Sequence, residues 1–162
     1  LQKTIIASTD SLKMNSADYV ARANLAWSAT LALNGLSAAG LKYGDWSCHS
    51  IEHAFSALHP TIAHGEGLGV IFPAWIEFVS EKAPERFMPW ARNVWNEDSV
   101  SKAVKRFRDK LESWGMAGSL RDLGIKQNEL GTLADMIMQT PVIGGVFKLN
   151  KVEVQSLLML AF

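Results

Sequence analysis

His49, His53, His59 and His64 fall within sixteen residues of a 162-residue chain, and the sequence has no other histidine. The i, i+4 spacing sets His49 and His53 on one helix face, one turn apart. Neutral imidazole is the commonest protein ligand for first-row transition metals, and it exchanges protons near neutral pH. The cluster therefore points to a metal site, a proton-transfer site or both. His49 and His53 could chelate one ion together. Alternatively, one of them could share the ion with His64 across Pro60, leaving the other free for proton transfer. His59 directly precedes a proline in a loop and reads as structural. Glu52 adjoins His53 in sequence but points about 100° away on a helix, which reads as a group behind the ligands or on the surface. The order is not His-Glu-x-x-His, so a zinc protease is not supported.

Other residue types offer weaker chemistry. Gly65, Gly67 and Gly69 precede an apolar helical stretch, but phosphate loops need a preceding strand and wider spacing. Close approach of two helices near the histidines is the better reading. Cys48 has no activating base in sequence and reads as a buried small residue. Lys102, Lys105, Arg106, Arg108 and Lys110 interleave with Asp109 and Glu112, which describes the solvated face of an amphipathic helix. The six tryptophans read mostly as core, with Trp46 placed near His49. Sixteen basic and sixteen acidic residues balance, unlike the basic excess of a nucleic-acid binder. A single cysteine excludes an internal disulfide and fits a reducing cytoplasm. No apolar run is long enough for a membrane span.

The elements that must position the histidines are helical. A helix is expected from about Ala17, capped by Ser16, to Asn34, stopped by Gly35, and apolar enough to be buried nearly all round. Asp45 caps the next helix, which runs to Leu58 and ends at Pro60. Another starts at His64 and continues past Pro73, where a kink is expected. Further helices are expected over Glu85–Trp95, Ser99–Trp114 and Gln127–Gln139, and after Asn150, whose pairing with Glu153 makes a capping box. Val142 to Phe147 is the one strand candidate, and its paired glycines favour a loop. The opening Leu1-Gln-Lys-Thr-Ile-Ile reads as the interior of an amphipathic helix. The fold class is all-α, residues 1–162 forming a single helical domain truncated on its N-terminal side.

Three blocks carry a resemblance. They are Ala21-Arg-Ala-Asn-Leu-Ala-Trp-Ser-Ala-Thr-Leu-Ala-Leu-Asn-Gly35, Gly44-Asp-Trp-Ser-Cys-His-Ser-Ile-Glu-His-Ala-Phe-Ser-Ala-Leu58 and His64-Gly-Glu-Gly-Leu-Gly-Val-Ile-Phe-Pro-Ala-Trp75. The chain closely resembles the C-terminal helical domain of iron-containing alcohol dehydrogenases, nearest the NAD(P)H-dependent butanol dehydrogenase branch. The resemblance implies a cytoplasmic, homodimeric parent enzyme interconverting small aldehydes and primary alcohols, without nucleic-acid or membrane partners. It implies one divalent metal, iron, zinc or nickel, held by one aspartate and three histidines. The last two histidine ligands match His49 and His64. His53 matches a histidine near the nicotinamide and substrate, and is the catalytic and cofactor-binding candidate for proton relay. The first two ligands belong to a Gly-x-x-Asp-x-x-x-His segment that this sequence does not contain, and the N-terminal α/β cofactor domain is likewise not in it. The chain alone is therefore expected to be inactive and to bind no cofactor tightly. His53 and His64 are also one residue further apart than in the usual family form, so their loop must bulge or re-register to bring His64 to the metal. The alternative is a stand-alone, non-catalytic helical module binding metal through His49 and His53.

Overall fold

The computed structural model describes residues 1–41, 44–140, 143–145 and 147–162, and among them there are helices and turns but no strand. The chain divides into two compact units, Leu1–Gly44 and Asp45–Phe162.

The first unit is a helical hairpin. Helix α1 spans Gln2–Met14 and α2 spans Tyr19–Leu33. Small buried side chains, Ser8 on α1 and Ala21 and Ser28 on α2, let the two backbones approach. Asp18, not Ser16, caps α2: its Oδ1 accepts from the Ala21 amide at 3.0 Å and its Oδ2 from the Ser11 hydroxyl at 2.6 Å. Those bonds hold the Asp18 carboxyl below its ordinary range, the Ala21 amide contributing most. Gly35, in the left-handed region at φ 85°, stops the helix as expected. The expectation of all-round burial fails. The inward stripe runs through Ala21, Leu25 and Ser28, while Tyr19, Val20, Leu33 and Trp27, the last 63% exposed, lie outside it. A hairpin partner covers only one stripe of a helix, however apolar the other faces are.

The second unit carries the histidines. Its helices are α3 (Ser47–Leu58), α4 (His64–Ser80), α5 (Pro84–Trp95), α6 (Val100–Ser113), α7 (Leu130–Ile137) and α8 (Lys151–Leu160). Gln127–Glu129 is a 3-10 turn leading into α7. Helices α3 and α4 face each other across a core of Ile51, Phe55, Val70, Ile71 and Ala74. Helices α7 and α8 complete that core with Leu133, Ile137, Val154, Leu157 and Leu158. A second cluster, Ile76, Val100 and Val104 with Phe87, Trp90 and Phe107, ties α4 to α5 and α6. Helix α4 runs through Pro73 without ending.

Asp45 anchors the start of α3. Its Oδ1 accepts from the Ser47 amide at 3.0 Å and from the Ser47 hydroxyl, and its Oδ2 from the Phe147 amide at 3.3 Å. The stretch around residues 143–149 is a loop as far as it is described; Val142 and Val146 lie outside the described residues. Gly144, at φ 97°, is required there, because a Cβ would lie 1.9 Å from the Phe147 carbonyl oxygen. The basic residues of α6 pair with acids: Lys102 with Asp98, Lys105 with Asp109, Arg106 with Glu97 and Arg108 with Glu77. Of the tryptophans, only Trp95 is buried among those expected in the core; Trp75, Trp90 and Trp114 are half-buried. No described helix is long and apolar enough to cross a membrane.

Candidate metal centre

Helix α3 presents His49 and His53 one turn apart, and the first residue of α4 brings His64 between them. Ring centroids are 5.4 Å apart for His49 and His64 and 5.3 Å apart for His53 and His64. The connecting loop holds a turn, closed by the Ile62 amide on the His59 carbonyl at 3.0 Å, with Ile62 buried in the core. His59 is turned away: its Nε2 lies 3.3 Å from Glu129 Oε2, at the entrance of α7. The structure thus groups three of the four histidines, His49, His53 and His64.

It adds a fourth residue. Glu52 is fully buried, at 0% exposure, and its Oε2 contacts His64 Nδ1. Its other oxygen, Oε1, accepts from the Ser56 hydroxyl at 2.5 Å, one turn further along α3. The surface position that its helical angle also allowed is not the one adopted: the side chain is buried against His64. Donor atoms of Glu52, His53 and His64 all lie within 4.8 Å of one another, a spread that suits one metal ion. Both Glu52 oxygens have protein partners, Ser56 and His64, while the His53 and His64 rings are open to solvent.

The glycines after His64 explain how the carboxylate fits. A Cβ on Gly67 would lie 2.7 Å from Glu52 Cγ and 2.9 Å from its Oε1. Only a glycine lets the first turn of α4 close over that side chain. The close-approach reading therefore holds at Gly67. At Gly69 a Cβ would meet the flexible end of Met116, and at Gly65 it would meet nothing within 4 Å.

The rings are held by apolar edges. Trp46 meets His49 edge-on at 4.9 Å and Phe72 does so at 6.3 Å. Burial, then the neighbouring His64 and His53, hold the His49 imidazole below its ordinary pKa, against the pull of Glu52. A ring kept neutral keeps its lone pair for a metal at pH values where free histidine is protonated. The His64 side chain is 46% exposed and His53 is exposed, so the cluster has an open side. Cys48, next to His49, takes no part: burial, reinforced by the Asp45 carboxylate, pushes its thiol far up and away from the reactive thiolate.

Comparison with known proteins identifies the family. The model of the Fe-containing alcohol dehydrogenase family, C-terminal, matches residues 1–162. The chain is 35% identical over 147 residues to NADH-dependent butanol dehydrogenase A of Clostridium acetobutylicum, covering 85% of this chain and 37% of that protein. It is 30% identical over 122 residues to the NADPH-dependent aldehyde reductase YqhD of Escherichia coli, covering 72% and 31%. The crystal structure of NADH-dependent butanol dehydrogenase A from Thermotoga maritima superposes with a TM-score of 0.92 at 37% identity, over 98% of this chain and 43% of that one. The chain thus spans less than half the length of each of these relatives.

Proposed function

The chain belongs to the Fe-containing alcohol dehydrogenase family, as its C-terminal region, and from that premise we propose that His49 and His64 supply two ligands of a divalent metal, iron or zinc. The reaction is the NAD(P)H-dependent interconversion of small aldehydes and primary alcohols, carried out by a protein that includes this chain. The observation that supports the reading best is the approach of the His49 and His64 rings across two helices, with centroids 5.4 Å apart.

When bound, the metal supplies a Lewis acid for the carbonyl oxygen and the reduced nicotinamide supplies the hydride. The chain's own residues do the rest. His49 and His64 would hold the ion, each through one ring nitrogen. Trp46 and Phe72 limit rotation of the His49 ring and cover its apolar edges. His53, exposed at the rim, exchanges a proton between the alcohol oxygen and solvent, the role an imidazole performs near neutral pH.

The test is a set of alanine variants in the full protein, each assayed for bound metal and for aldehyde reduction. His49→Ala and His64→Ala are expected to lose metal and turnover together. His53→Ala is expected to keep the metal and slow turnover by ~10²–10⁴-fold. Loss of metal from His53→Ala with retention in His64→Ala would replace this reading with a His49–His53 clamp, the stand-alone module's geometry.

A further inference from the structure

Glu52 is the one buried charged residue among those described, and the scheme above gives it no task. A buried carboxylate is costly unless both oxygens find partners. Here they do: Ser56 Oγ donates to Oε1, and His64 Nδ1 meets Oε2. A carboxylate in its ionised form only accepts hydrogen bonds, and paired with one the His64 nitrogen that faces it carries the hydrogen. A neutral imidazole with its hydrogen on Nδ1 has its lone pair on Nε2. Gly67 is part of the same arrangement, because any larger residue there would strike the carboxylate's own Cγ.

We propose that Glu52 is the positioning residue of this centre: by accepting from His64 Nδ1 it fixes the ring's tautomer and angle and turns Nε2 toward the metal. The inference rests on the ligand role of His64 proposed above. Metal-bound histidines commonly donate their second nitrogen to a carboxylate, which raises ligand basicity, and loss of that partner typically weakens metal binding 10–100-fold. Ser56 orients the carboxylate, and the N-terminus of α4 favours its negative charge.

The experiment uses two variants of the full protein. Glu52→Met keeps an unbranched side chain of similar length but accepts no hydrogen bond. Glu52→Gln keeps an acceptor oxygen and loses the charge. Zinc affinity is measured by competition with a chelator. The His64 tautomer is read in the metal-free protein from long-range ¹H–¹⁵N spectra, assigned by loss of signals in His64→Gln. The Nδ1–H form is expected in the wild type and in Glu52→Gln, and its loss in Glu52→Met. Zinc binding should weaken about 100-fold in Glu52→Met and about tenfold in Glu52→Gln. A role in packing alone predicts an unchanged tautomer, and wild-type zinc affinity in both variants overturns the proposal. Complete loss of zinc in Glu52→Gln, equal to that in His64→Ala, also overturns it and makes Glu52 a direct ligand. Retention of zinc by His64→Ala refutes the ligand assignment itself. Loss by His64→Ala with wild-type behaviour in both Glu52 variants refutes this inference alone.

Discussion

Gly65 and Gly67 lie two residues apart in the first turn of α4 and are expected to respond oppositely to an added methyl group. At Gly65 a Cβ meets nothing within 4 Å, so alanine there should stabilise the helix by up to ~1 kcal/mol. At Gly67 it lies 2.7 Å from Glu52 Cγ, and the strain should cost ~1–3 kcal/mol. Urea denaturation of both variants gives the sign directly, and equal shifts would contradict the packing described for α4 over Glu52. The sequence names the glycines and their neighbourhood but not which of them touches what. That depends on where α4 lands on α3 after the turn at His59–Ala63, a contact between elements that no local pattern encodes. The same limit applies to Glu52. Its helical angle places it off the His49–His53 face, while its depth is set by the helix that closes over it.

At the scale of elements, helix ends are well marked where one capping pattern stands alone. Asn150 and Glu153 form the expected box: Asn150 Oδ1 accepts from the Glu153 amide at 3.0 Å, and Glu153 Oε2 from the Asn150 amide at 2.9 Å. Ahead of α2 the expected cap is Ser16, but the structure uses Asp18, whose second oxygen accepts a bond from Ser11. That bond crosses from the preceding helix, so spacing within the capping segment could not reveal it. The α8 cap also makes a pH-dependent contribution. The bond from Lys82, then that from the Asn150 amide, hold the Glu153 carboxyl below its ordinary range. A carboxyl whose folded pKa is depressed stabilises the fold above its unfolded pKa of ~4.3 and loses that contribution as pH falls through the folded value. The melting-temperature gap between wild type and Glu153→Gln should therefore be widest near about pH 6 and close toward about pH 3. Asn150→Ala should cost ~1 kcal/mol for its lost cap. A Glu153→Gln gap of constant size down to low pH would show that the carboxylate's charge is not what matters at this helix start.

Across the whole chain, the all-helical class follows from apolar spacing at helical period, and the metal-ligand expectation from the histidine block and its family resemblance. Burial was less legible, because a helix such as α2 has apolar residues on several faces and α1 covers only one stripe of it. The ligand count leads to the last expectation. Within these 162 residues the proposed ligands are His49 and His64, and the Gly-x-x-Asp-x-x-x-His pattern that the resemblance implies does not occur. Zinc sites normally take three or four protein ligands, and an anionic ligand offsets the cost of desolvating a dication. A polypeptide of this sequence by itself should therefore bind zinc or ferrous ion only weakly, with water in the remaining positions. It should reduce no butyraldehyde with NADH or NADPH, because the residues described here include no nucleotide-binding loop to present a hydride. Added metal should not restore turnover. Calorimetric titration with zinc and a spectrophotometric assay of nicotinamide oxidation check both halves. Sub-micromolar binding that vanishes in His64→Ala would mean that Glu52 or His53 completes the ligand set. Turnover above the buffer blank would mean that these helices alone can assemble the reacting groups.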